Sequence, residues 1–144
     1  MDFDQVFSAA STAAAVGWAM LIFLPRWPIL VGFLRYGLVG ALCLLYAVLA
    51  FVYFFRVDGG GFGSMVELRK LFESDPVLLL GWVHYLAFDL FVGLWIAARA
   101  DAAQVSRLLQ APILLLTFLF GPVGLVVFYL AQGMLRVPVP ALRN

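Results

Sequence analysis

Charge and reactive side chains are scarce in this chain. Its 144 residues hold nine Lys or Arg, eight Asp or Glu, a single histidine and a single cysteine. One cysteine, Cys43, excludes an intrachain disulfide, and its place inside an apolar run marks an inert buried thiol rather than a nucleophile. The same scarcity excludes a zinc centre, since there is no HExxH and no paired-cysteine spacing, and no metal is expected. Serine elbow, P-loop and dinucleotide fingerprint are all missing. The glycine run GGGFG at 59–63 follows no strand, so it reads as a flexible turn and not as a phosphate cradle. A formal net charge of +1, with basic residues scattered at segment ends, excludes a nucleic-acid partner.

What is there is apolar. Hydrophobic residues make up 65% of the chain and charged ones 12%, with a mean hydropathy of +1.06. Soluble domains run nearer half apolar and about a quarter charged, so this composition belongs in lipid. The start, MDFDQ, is acidic and lacks the positive n-region of a secretory signal, and the apolar run behind it continues to Leu24. That run reads as a retained helix.

Hydrophobic segments and breakers predict an all-α integral membrane bundle of four transmembrane helices in one domain, residues 1–144. Helix one covers 6–24 and stops at Pro25-Arg26-Trp27-Pro28. Its small face, Ser8, Ser11, Thr12 and Ala15, suits close helix packing. Residues 29–34 read as a connector before helix two at 36–55, where Gly37, Gly40, Ala41, Ala47 and Ala50 fall at helical spacing. Tyr53 suits an interface, whereas Tyr46 lies deeper and needs a partner for its hydroxyl. A short amphipathic segment at 65–72, with Met65, Leu68 and Phe72 on one side, is expected to lie on the membrane surface or fold over the bundle as a lid. Helix three, 76–98, opens with Ser74 or Asp75 as cap and Pro76 in the first turn. Helix four, 112–135, carries Phe118-Leu-Phe-Gly121-Pro122-Val-Gly124, where Pro122 predicts a kink flanked by Gly121 and Gly124. Arg136 would anchor its far end. Four spans put both termini on one side. Helix one has no Lys or Arg before it and Arg26 and Arg35 after it, which places the termini outside and the short loops in the cytoplasm. The small-residue faces would also suit pairing with a second copy, so a homodimer is expected to form through them.

The stretch that carries chemistry is Gly81–Arg99, GWVHYLAFDLFVGLWIAAR. It holds His84 and Asp89 inside a segment apolar enough for a bilayer, where an ionised group costs roughly 3 kcal/mol or more. On a helical wheel Leu79, Val83, Leu86, Leu90 and Leu94 form one aliphatic stripe, the expected lipid face. Gly81, His84, Tyr85, Phe88, Asp89, Phe91, Val92 and Trp95 lie opposite, facing the protein. His84 and Asp89 are about 140° apart around the axis, so they flank one broad interior face without touching. With Tyr46, Tyr129 and Gln132 they outline a greasy, aromatic cavity holding one acid and one base, which suits a long apolar ligand with few polar atoms. Burial favours the neutral form of each group, the condition in which proton transfer between groups is easiest. Two other readings stay open. Asp89 and His84 are also the kind of polar glue that joins helices in bundles, Asp89 to Tyr85 or helix-one hydroxyls and His84 to a carbonyl freed at Pro122. His84 would also serve as an axial haem ligand or mark a quinone site, although no second ligand is evident.

GWVHYLAFDLFVGLWIAARAD, a short linker and LLQAPILLLTFLFGPVGLVVFYL together resemble the abscisic-acid-deficient-four-like family, small four-helix membrane proteins of plants and bacteria. The resemblance is carried by the His-x4-Asp pair and the GPxG turn, over residues 80–130. It implies a carotenoid or related polyene as ligand or substrate, because plant members are associated with neoxanthin formation. That reaction opens a 5,6-epoxide to an allene, an isomerisation that needs no redox cofactor. Carried over to this chain, it would make Asp89 and His84 the acid and base, with Trp82, Tyr85, Phe88 and Trp95 walling the polyene. A non-catalytic pigment- or lipid-binding role in support of a partner enzyme is the alternative. The short chain, with no transit peptide ahead of helix one, is expected of a bacterial member in the inner membrane.

Overall fold

The computed structural model describes residues 2–135, with side chains through residue 133, and these residues are all-helical, without a strand. The expected anchor Arg136 and the tail after it lie outside the described residues. Helix α1, Phe3–Phe23, starts where the Asp2 carboxylate accepts from the amides of Asp4 and Gln5 at 3.1 and 3.2 Å, which satisfies two of the orphan donors of its first turn. Helix α2 runs Pro28–Arg56, so the connector expected at 29–34 is helix instead. Pro28 occupies its first turn, where a fixed φ and a missing N–H suit a helix start, and no breaker follows. A wider, π-helical stretch at Phe33–Leu38 interrupts it, and a 3-10 turn at Phe54–Arg56 ends it.

Helix α3, Met65–Phe72, begins in a variant of the capping box, with the glutamate reaching one residue past the cap. Ser64 Oγ accepts from the Glu67 amide at 3.2 Å, and Glu67 Oε2 accepts from the Gly63 amide at 3.0 Å. Leu71 is the residue it buries, while Met65 and Phe72 of the expected apolar side stay exposed. Phe72 nonetheless covers Gly81, whose missing Cβ leaves room for the ring. The segment therefore lies across the entry of helix α4, Asp75–Ala102, for which Ser74 is the N-cap residue.

The largest departure from the sequence reading is at Gly121. A single kinked span was expected, but α5, Arg107–Phe120, ends there and α6, Pro122–Leu135, turns back along it. Phe128 shares a core cluster with Leu114, and Gln110 and Ile113 of one arm line a cavity together with Phe128, Ala131 and Gln132 of the other. A Cβ on Gly124 would stand 2.6 Å from the Cα of Thr117. The turn is made by Gly121 at φ 43° and ψ −95°, a conformation side chains oppose. Proline alone bends a helix. A glycine at positive φ ahead of it lets the chain reverse, and Pro122 then opens the second arm where its lack of an N–H does no harm.

Each arm has 14 residues, so it rises only about 21 Å and falls short of a hydrocarbon core of about 30 Å. Three helices, Phe3–Phe23, Pro28–Arg56 and Asp75–Ala102, are long and apolar enough to cross a membrane. The expected fourth span is thus a hairpin that enters the bundle and returns to the same end. Its base is held by a polar clamp. Arg26 Nη1 donates to Asp101 Oδ1 and Oδ2 at 2.8 and 2.9 Å and also to Gln110 Oε1. Gln110 Nε2 donates in turn to Asp101 Oδ1 and to the Val105 carbonyl, both at 2.8 Å. Arg107 Nη2 donates to the Leu24 carbonyl at 2.7 Å, closing the end of α1.

Ala131 and Gln132 share their cavity with Ala100, Ala103 and Val105, at the end of α4. Residue 2 and Leu135 consequently lie at opposite ends of the bundle, where four spans would have put them together. Topology reporters fused ahead of Phe3 and directly after Leu135 are expected to give opposite signals; like signals from both would require a full fourth span.

Candidate functional site

Helix α4 is the axis around which the other elements pack, and the wheel expectation holds for Tyr85, Asp89, Val92 and Trp95, which meet the hairpin, but not for the rest. Leu79, Val83, Leu86, Leu90 and Leu94, the expected lipid stripe, are all buried. His84 and Phe88, expected inside, are exposed, and Phe91 is 48% exposed. Lipid is as apolar as leucine, so hydrophobicity does not tell which face of a membrane helix meets protein. Small residues decide it here. Ala10, Ala14 and Gly17 of α1 make the room that the leucines fill, and Leu90 would be only 3.3 Å from a Cβ on Gly17. The face expected to pack, Ser8, Ser11, Thr12 and Ala15, is mostly outward, although Ser11 Oγ accepts from Trp82 Nε1 at 2.9 Å.

On the hairpin side of α4, Tyr85 and Asp89 meet the tip. The Tyr85 hydroxyl lies 3.1 and 3.2 Å from the carbonyls of Phe118 and Leu119, the orphan acceptors at the end of α5, and donates its one proton to either. One turn on, Asp89 stands at Gly121, where a Cβ would lie 2.6 and 2.7 Å from its two carboxyl oxygens. Asp89 Oδ2 is buried and has no hydrogen-bond partner among the described residues. Its carboxyl group sits at the N-terminus of α6, where the helix dipole favours negative charge. The structure thus brings together Tyr85, Asp89, Gly121, Pro122 and Gly124. It does not bring His84 to them.

His84 lies on the other side of α4, in a groove along the seam with α2. Its ring stacks on Phe88 at 4.5 Å between centroids and approaches Tyr46 at 5.5 Å. A cavity lies to either side of this point along α2, with no lining residue in common. One, of about 450 Å³, is lined by Arg35, Tyr36, Gly40, Cys43, Phe88 and Phe91 among others, and one of about 310 Å³ by Tyr46, Ala47, Ala50, Phe54 and Phe62 among others. Tyr36, Gly40, Cys43, Ala47, Ala50 and Phe54 follow at alternating steps of four and three, so they form one stripe on α2. From Tyr36 to Phe54 the stripe spans about 27 Å. Small residues make its floor and aromatic rings its walls. The spacing was present in the sequence, but it was read as helix packing; Arg35 at one end was not read as part of a site at all.

A family model described as ABA DEFICIENT 4-like matches residues 5–128. The chain belongs to that family. No curated protein and no solved structure matches it. As a member of the ABA DEFICIENT 4-like family with three apolar helices of spanning length, it is an integral membrane protein. The remaining residues expected to wall a ligand are spread over other surfaces. Trp82 lies between Phe7 and Tyr85, at 5.4 and 5.3 Å, beside α1. Trp95 meets Phe128 and Tyr129 of α6 edge-on, with the Arg99 guanidinium 4.9 Å above its ring. Gln132 lines the cavity between α4 and the hairpin. Among the described residues, no group of three metal-ligating side chains occurs.

The tip geometry makes a direct prediction for this family member. Gly121→Ala forces a side chain to positive φ and into the Asp89 carboxyl group, so it is expected to cost about 1–3 kcal/mol in thermal or denaturant unfolding in detergent. Gly133→Ala, at a site with nothing within 4 Å, should leave stability unchanged.

Proposed function

We propose that this protein holds a carotenoid or related polyene along the α2–α4 groove and isomerises it with His84 as the proton-handling group. The observation that carries the reading is the groove itself: a stripe of about 27 Å, the length of a stretched polyene chain that spans a bilayer, floored by small residues and walled by rings. Aromatic faces suit a conjugated chain, and a single imidazole midway along the stripe supplies a group able both to give and to take a proton. Membership of the ABA DEFICIENT 4-like family, associated in plants with neoxanthin formation, supports the same ligand class.

For an epoxide-to-allene isomerisation the balance closes on His84 alone. The imidazolium gives its proton to the epoxide oxygen as the carbon–oxygen bond breaks, leaving a cation conjugated with the polyene. The neutral imidazole then takes a proton from the adjacent carbon, the allene forms, and the imidazolium is restored. No oxidant or reductant enters. Asp89, on the far side of α4, serves in this reading to hold the hairpin. The membrane in question is the inner membrane of a bacterium, with residue 2 outside.

Two substitutions separate the parts of this reading. Protein purified from a carotenoid-producing host is expected to carry a structured visible band that Ala47→Leu, by filling the groove floor, removes. His84→Gln should keep the band and lower turnover of an epoxy-carotenoid by at least about 100-fold. Turnover unchanged in His84→Gln would leave pigment binding as the function, and a colourless wild-type protein would overturn both. A haem band in protein from a carotenoid-free host would reassign His84 as an axial ligand. A second copy covering the same groove would show as a pigment-free dimer.

A further inference from the structure

Arg35 is the one charged residue in the groove, and no group among the described residues answers it. It belongs to the π-helical stretch of α2, seven residues beyond Pro28 and so about 10 Å into the helix. Its Nε is buried without a hydrogen-bond partner, and the single ion pair among the described residues is Arg26–Asp101. The remaining residues, 136–144, carry no acidic side chain. An arginine in apolar surroundings holds its charge and needs an anion, which it engages through a planar fork. The groove around it is apolar, with Tyr36, Phe88 and Phe91 as walls and Gly40 and Cys43 beneath. This end of the bundle also gathers Arg26, Arg99 and Arg107 against one acid, Asp101, a local excess of positive charge that attracts anionic lipid.

We infer that the Arg35 end of the groove is a binding site for an anionic phospholipid, whose phosphodiester, with no headgroup cation beside it to compete, pairs with the guanidinium while an acyl chain lies over Gly40 and Cys43. Headgroup charge and a flexible apolar chain in one molecule match a cation at one end of a greasy channel, and the depth of Arg35 is within reach of the headgroup layer by side-chain extension. The site does not depend on polyene binding. Where both ligands are present they exclude one another over this half of the groove, so lipid is the resident that a polyene displaces.

The test uses full-length protein from a carotenoid-free host, exchanged into an equimolar mixture of phosphatidylglycerol and phosphatidylcholine and examined by native mass spectrometry. Wild type is expected to retain phosphatidylglycerol over phosphatidylcholine by about tenfold. Arg35→Gln should abolish the preference, Arg35→Lys should keep part of it, and Arg56→Gln at the opposite end should leave it intact. Equal retention of the two lipids, or a preference that survives Arg35→Gln, would overturn the inference. Displacement of the lipid by inorganic phosphate would also overturn it, by assigning the site to a free anion. If Arg35→Gln does not fold, Cys43 gives a second reading without mutation. It is exposed and lines the same cavity. Its alkylation by an uncharged, membrane-permeant maleimide in nanodiscs is expected to slow several-fold when phosphatidylglycerol replaces phosphatidylcholine, and an unchanged rate would count against the site.

Discussion

A backbone broken in the middle of a bilayer must satisfy its own polar groups, because hydrocarbon offers none. That requirement organises this structure. The hairpin of α5 and α6 exposes carbonyls at one helix end and amides at the other, both at the depth of the α4 centre. Tyr85 supplies a donor to the first, and Asp89 places its carboxyl group at the second. The pair is one turn apart on one helix, so a single rigid element brings a donor to one side of the break and a carboxyl group to the other. At the membrane end the same hairpin is held by the Arg26–Asp101–Gln110 clamp, where each charged group is met by several partners.

Asp89 and His84 look like an acid–base couple in the sequence, and the fold gives them separate surroundings. Five positions on a helix turn them to different neighbours, Asp89 to the hairpin and His84 to α2.

Helix identity and some boundaries were legible because breakers mark them: Pro25 after α1, Ser74 with Pro76 at the head of α4. The starts at Asp2 and Pro28 were not, since the apolar pattern places the start of α1 at residue 6 and Pro28 reads as part of a stop rather than as the first turn of α2. The orientation of α4 was not legible. Its leucines and its aromatics are equally content in lipid, so the wheel separated two faces and gave no sign that the leucine stripe packs inward while His84 and Phe88 stay exposed. The information lay in a partner segment, in Ala10, Ala14 and Gly17, whose small volumes matter only once α1 is known to be the neighbour. The hairpin was half legible. Gly121-Pro122 announced an irregularity, but a kink and a reversal share the same residues, and the difference rests on a glycine dihedral and on Thr117 making room for Gly124. The groove stripe on α2 was visible as small residues at helical spacing, a pattern that serves close packing and ligand space equally.

The hairpin also bears on how the molecule is assembled. Its two arms are too short to be held by the bilayer as independent spans, and its tip is polar until Tyr85 and Asp89 meet it. A chain emerging from synthesis can settle α1, α2 and α4 in lipid one at a time, whereas the last 29 described residues, 107–135, have no stable place until that three-helix scaffold exists. Membrane insertion and folding are therefore separate events for this part of the chain, and a defect in α4 strands the hairpin at the surface even when every span has been inserted.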